Sequence, residues 1–189
     1  SRRQRQMCIR DSILMYEITS GVVSSAQKVV IYGPEGIGKS TFAAQFPDPV
    51  FIDTEGSTKK LNIRRFPKPT SWEMLKNEVK EAMNGRLCKT LVIDTIDWAE
   101  QLCINSLCST YQKTGIEEFG WGNGYVYEKE DFGKFLNLLQ EVVDSGINVV
   151  LTAHAQMRKF EQPDELGAYD RWELKLSLIH ISEPTRLRC

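Results

Sequence analysis

Short apolar runs alternate with stretches of helical periodicity along this chain. Lys28-Val29-Val30-Ile31-Tyr32, Val50-Phe51-Ile52-Asp53, Thr90-Leu91-Val92-Ile93-Asp94 and residues 147–153 are rich in β-branched positions without polar alternation. That is the pattern of strands buried on both faces. Between them lie amphipathic segments. Residues 39–46 open a first helix, which Pro47 and Pro49 end. Thr70-Ser71-Trp72-Glu73 reads as a capping box, starting a helix with Trp72, Leu75, Val79 and Met83 on one side and Gly85 at its end. Residues 97–113 form a third helix with Trp98, Leu102 and Leu107 among its apolar positions. Residues 128–145 form a fourth, with Phe132, Phe135, Leu138, Leu139 and Val142 turned inward. Residues 61–69 read as a connector and 115–125 as a glycine and aromatic loop. Buried strands alternating with amphipathic helices predict an α/β fold of three layers. A mostly parallel central sheet would carry helices on both faces, with ligands gathered at the carboxyl ends of the strands.

The sharpest chemistry sits at the first such end. Gly33, Pro34, Glu35, Gly36, Ile37, Gly38, Lys39, Ser40 and Thr41 spell G-x-x-x-x-G-K-S-T directly after an apolar run and before a helix. A glycine-rich turn exposes backbone N–H groups to phosphate oxygens, and the following helix N-terminus adds partial positive charge. The spacing predicts that Lys39 reaches the β and γ phosphates of ATP and that the Ser40 hydroxyl sits on Mg²⁺. Asp94 ends the third strand, where a carboxylate would hold the water shell of that Mg²⁺; a helix N-cap is its plainer reading, with Thr95 and Asp97 as rival caps.

Glu55 follows the second strand. By position alone it is equally a water-activating base near the γ-phosphate or an exposed loop acid, and Asp53 is a brace for the same loop. His154, just beyond the fourth strand, is placed to sense the γ-phosphate or to be hydrogen-bonded structure, with Gln156 a weaker rival. Arg158, Lys159 and Arg171 flank an acidic, turn-rich stretch and read either as surface charge or as a finger supplied to a neighbouring subunit. Trp121, Tyr125 and Tyr127 read as loop packing or as stacking platforms for bases.

Composition narrows the picture. The 189 residues carry a formal net charge of −1. The terminal segments are basic, so the interior is more acidic than the whole and exerts no general pull on nucleic acid. Of five cysteines, Cys88, Cys103 and Cys108 have no zinc spacing, which predicts reduced, partly buried thiols and a cytoplasmic setting. No apolar run approaches the roughly 18 residues a membrane helix needs. Met7-Cys8-Ile9-Arg10-Asp11-Ser12 can be encoded by DNA whose reverse complement, in another frame, encodes residues 176–181. Residues 1–12 and 176–189 therefore read as translated sequencing adapter. That leaves 13–175 as one domain, expected to be cut short on its C-terminal side.

GPEGIGKST, FIDTEGS, TLVIDTIDWAE, NVVLTAHAQMRKF and YDRWELKL, in this order, resemble the RecA-like branch of P-loop ATPases. More closely, they resemble phage-encoded AAA-domain nucleotide-binding proteins related to phage single-strand annealing proteins. The resemblance implies that Glu55 activates the attacking water, that Asp94 is the Walker-B carboxylate, and that His154 is the γ-phosphate sensor. It places the sensor strand between the P-loop and Walker-B strands and expects further strands beyond Lys175. It implies an ATPase of phage DNA recombination or replication in the bacterial host cytoplasm, homo-oligomeric, with single-stranded DNA as a partner. A non-hydrolysing assembly module is the alternative, and a small-molecule kinase a weaker one.

Overall fold

The computed structural model describes residues 20–21, 25–161 and 168–176, with the backbone alone for 158–161 and 168–171. Among the described residues six strands and four α-helices follow in order: β1 (Lys28–Gly33), α1 (Lys39–Ala43), β2 (Pro49–Asp53), β3 (Arg64–Arg65), α2 (Trp72–Asn84), β4 (Thr90–Asp94), α3 (Ile96–Thr110), α4 (Asn123–Asp144), β5 (Asn148–Glu161) and β6 (Ala168–Leu174). The strands form one sheet in the order β1-β5-β4-β2-β3, and β6 pairs with β5. All pairings are parallel except β5 with β6. The strand bearing His154 thus lies between the strand before the glycine turn and the strand ending in Asp94, as the resemblance implies.

The pleat sends alternate side chains to opposite faces, and the two faces are covered unequally. Val50, Ile52, Leu91, Ile93, Val149 and Leu151 pack beneath α2, α3 and α4, against Trp72, Leu75, Val79, Phe132, Phe135 and Leu139. On the other face Phe51, Val92 and Val150 meet Ala43 of α1, with Phe46 and Ile63 at the rim. The fold is therefore the expected three-layer α/β arrangement, with three helices on one side and one short helix on the other.

Several element boundaries differ from the sequence expectation. The cap of α2 is Ser71, whose Oγ accepts from the Met74 N–H at 3.2 Å, and not Thr70. Glu73 pairs with Lys76 instead of reaching back as a capping box would. Helix α1 ends at Ala43, three residues before the expected boundary, because turns already lead toward Pro47. Helix α4 starts at Asn123, inside the expected loop. Gly124 enters it because a Cβ there would lie 2.5 Å from the Ile116 carbonyl oxygen, so the helix seats against the preceding 3-10 turn only through a glycine. β5 runs to Glu161 and folds back through β6 as an antiparallel hairpin. Leu138 is half-buried at the core's edge and does not point fully inward. Cys88, Cys103 and Cys108 are free and buried. Among the described residues no helix is long and apolar enough to cross a membrane.

Candidate nucleotide site

The glycine turn projects from the carboxyl end of β1. Pro34, Glu35, Gly36, Ile37 and Gly38 are exposed, so the loop faces solvent. Gly36 and Gly38 have φ of 75° and 97°, a left-handed backbone that other residues rarely adopt. Gly38 is the N-cap of α1 and lends it no side chain, so nothing competes for the N–H groups of that helix's first turn. Lys39 is buried within an otherwise open loop. Its Nζ donates to the carbonyls of Gly33 at 3.0 Å and Pro34 at 2.9 Å. The ammonium thus lies against the start of the turn whose amides would hold an anion. Ser40, half-buried, and Thr41, exposed, follow it.

Sheet register brings the other candidates to the same edge. Gly33 pairs with His154, Asp94 with Thr152, and Asp53 with Asp94. One strand separates β1 from β4, about 10 Å at ordinary strand spacing. Asp94 is buried; its Oδ1 accepts from the Thr152 hydroxyl. Its Oδ2 is buried with no hydrogen-bond partner. An orphaned carboxylate oxygen is costly in a protein interior and is the donor type that hydrated Mg²⁺ takes. Asp94 therefore fits as a donor to hydrated magnesium, and Ser40, in the first turn of α1, is the hydroxyl the motif would bring to the same ion. Asp94 is no helix cap: that position belongs to Thr95, whose side chain makes no capping bond.

Glu55 is held by a stitched loop. The Thr54 N–H donates to the Asp94 carbonyl at 2.8 Å. The Thr54 hydroxyl donates to the Thr95 carbonyl at 2.7 Å and accepts from the Thr95 N–H at 2.8 Å. Asp53 accepts at Oδ1 from the Gly56 N–H at 2.6 Å and at Oδ2 from the Thr58 N–H at 2.9 Å and the Thr58 hydroxyl. Burial pushes the Asp53 carboxyl up, but these donors outweigh it and hold the group below its usual range. Asp53 is thus a brace, as its position suggested.

His154 stands between two carboxylates. Its Nδ1 is 2.7 Å from Asp97 Oδ2, and its backbone N–H donates to Asp97 Oδ1 at 3.3 Å. Its Nε2 lies 4.0 Å from Glu55 Oε2. These groups line a cavity of about 510 Å³ together with Glu35, Glu100 and Lys175. Gln156 lines the same cavity, so both sensor candidates reach it.

Its place in the sequence marks Asp97 only as a candidate helix cap. Its carboxylate instead faces a histidine 57 residues away, a partnership with no local signal. Of the loop aromatics, Tyr125 donates to Glu117 at 2.9 Å, and the Tyr127 ring lies 5.5 Å from that of Tyr111. Trp121 points wholly to solvent. The side chains of Arg158, Lys159 and Arg171 lie outside the described residues.

A parallel sheet whose first strand ends in G-x-x-x-x-G-K-S, with a buried lysine against the turn and a strand-end carboxylate two strands over, defines a nucleotide-binding domain of the P-loop ATPase class. The chain belongs to the AAA-domain family, whose model matches residues 25–178. A solved structure similar to it is a KaiC-like protein from the hyperthermophilic archaeon Pyrococcus horikoshii OT3, at 18% identity over 81% of this chain and 82% of that one, with a TM-score of 0.44. No curated protein matches.

Proposed function

We propose that this chain is an Mg²⁺-dependent ATPase acting in phage DNA recombination or replication. The observation that carries the ATPase reading is the convergence of Lys39, Asp94, Glu55 and His154 on one sheet edge beside an exposed glycine turn. The amides of residues 33–41 and the Lys39 ammonium bind and orient the triphosphate. Ser40 and Asp94 would hold a magnesium ion, which when bound would supply positive charge against the transferred phosphoryl group. Glu55 takes a proton from the attacking water as its oxygen bonds to the γ-phosphorus and the bond to the β-bridging oxygen breaks.

The role on DNA rests on the resemblance in sequence and on one geometric support. The β5–β6 hairpin is rooted at His154, whose carbonyl accepts from the Lys175 N–H at 2.8 Å. Antiparallel pairing begins at the next residue, Ala155 with Leu174. Loss of the γ-phosphate at His154 would be relayed along that hairpin and change its hold on single-stranded DNA or on a second subunit.

Phosphate release measured with and without single-stranded DNA tests the proposal. Turnover stimulated by DNA supports it. Absence of turnover alongside ATP-dependent oligomers replaces it with the non-hydrolysing assembly module.

A further inference from the structure

We propose that Asp97 is a positioning residue that fixes the tautomer of His154, so that Glu55 and His154 together hold one water by both of its O–H groups. This rests on the ATPase reading of the site.

A carboxylate oxygen only accepts, so the 2.7 Å contact between Asp97 Oδ2 and His154 Nδ1 requires the proton on Nδ1. The other oxygen of Asp97 accepts from the histidine's own backbone N–H. Two bonds from one carboxylate fix the ring plane as well as the tautomer. Asp97 is itself held in place: it lies in the first turn of α3, where the helix dipole favours an acid, and its side chain is 11% exposed.

In the neutral ring Nε2 then carries a lone pair, and it faces Glu55 Oε2 across 4.0 Å. Two acceptors that far apart do not bond each other. A single water satisfies both by donating one O–H to each, and its lone pairs are left to point elsewhere. That is the orientation a nucleophile needs, with the Glu55 arm also the proton acceptor. The same geometry makes a neutral His154 a poor direct donor to phosphate, so it would sense the γ-phosphate through the shared water. The other charged groups around this cavity are Glu35 from the glycine turn, Glu100 from α3 and Lys175 after β6.

The chain has two histidines, His154 and His180, so a His180→Gln background leaves one imidazole for ¹⁵N NMR. At pH 8 the ring is expected to carry its proton on Nδ1 with Nε2 bare. A proton on Nε2 overturns the proposal. In Asp97→Asn one of the two donors loses its acceptor. The kcat for ATP is then expected to fall at least about tenfold while KM stays within about twofold. An unchanged kcat, or parallel loss of ATP binding in a variant that melts like the parent, also overturns it. The NMR arm needs no turnover, so it decides the role of Asp97 even if the chain hydrolyses nothing, and it does so if Asp97→Asn fails to fold.

Discussion

The glycine turn and the Glu55 corner meet at one sheet edge but are built by opposite means. The turn is nine consecutive residues, with 34–38 open to solvent, made of backbone amides and one folded-back, buried lysine. The corner is assembled from β2, β4, α3 and β5, and its polar atoms are tied by side-chain bonds across 41 to 57 residues of sequence. A turn can bind through local geometry alone. A water-directing corner needs groups placed from several elements at once, because a misplacement of about 1 Å costs far more rate than affinity.

That contrast is broken hardest by Glu55→Gln, which keeps the shape of the corner and removes its proposed base. Turnover is expected to fall about 10²–10⁴-fold with ATP affinity retained, read by phosphate release beside a fluorescent-nucleotide titration. Lys39→Ala acts on the other side of the comparison. It removes the charge that would meet the phosphates, so affinity itself should drop about a hundredfold. Equal loss of binding in both variants would erase the division between the two regions.

Asp53→Ala sharpens the comparison within the corner. It deprives the backbone N–H groups of Gly56 and Thr58 of their acceptor, so about 1–3 kcal/mol of stability should go in denaturant titration, along with kcat more than ATP affinity. Because the folded state holds Asp53 below its usual range, its contribution is present above the unfolded carboxylate pKa and is lost as acid takes pH below that value.

Glu78 on α2 supplies the smallest and opposite effect. It is buried, both its oxygens lack hydrogen-bond partners, and desolvation with help from Glu81 pushes its carboxyl up to about 7. The folded state therefore prefers it protonated. Stability is greatest below the ordinary carboxylate pKa and declines as pH rises toward about 7. Glu78→Gln should raise the Tm by a few degrees at pH 8 and hardly at all at pH 4, with ATP turnover unchanged. A melting curve equally displaced at both values would mean the burial of Glu78 is not what sets its charge.

Most of the sheet was legible along the chain: β2 and β4 are buried along their β-branched runs, whereas β1 lies where its run does but is an edge strand with Val30 and Tyr32 half-exposed, against the reading of a strand buried on both faces. The start of β5 was legible for the same reason. Its extension was not, because Met157 and Trp172, half-exposed across from one another in the hairpin, leave no buried run to read. The start of α4 was hidden because glycine disfavours helix locally, and only its contact with Ile116 explains Gly124 there.

By itself the sequence determined the glycine turn, the strand-end position of Asp94 and the three-layer class, because each rests on residues adjacent in the chain or on a short period. The place of β5 between β1 and β4 came from the family resemblance and not from any local pattern, and tertiary structure alone decided that Asp94 keeps an oxygen without a partner. It alone set Asp97 against His154 while Glu55 faces the ring's other nitrogen. Those relations depend on the lateral order and register of strands. Such order is chosen by burying both sheet faces at once, and no local stretch of residues encodes it.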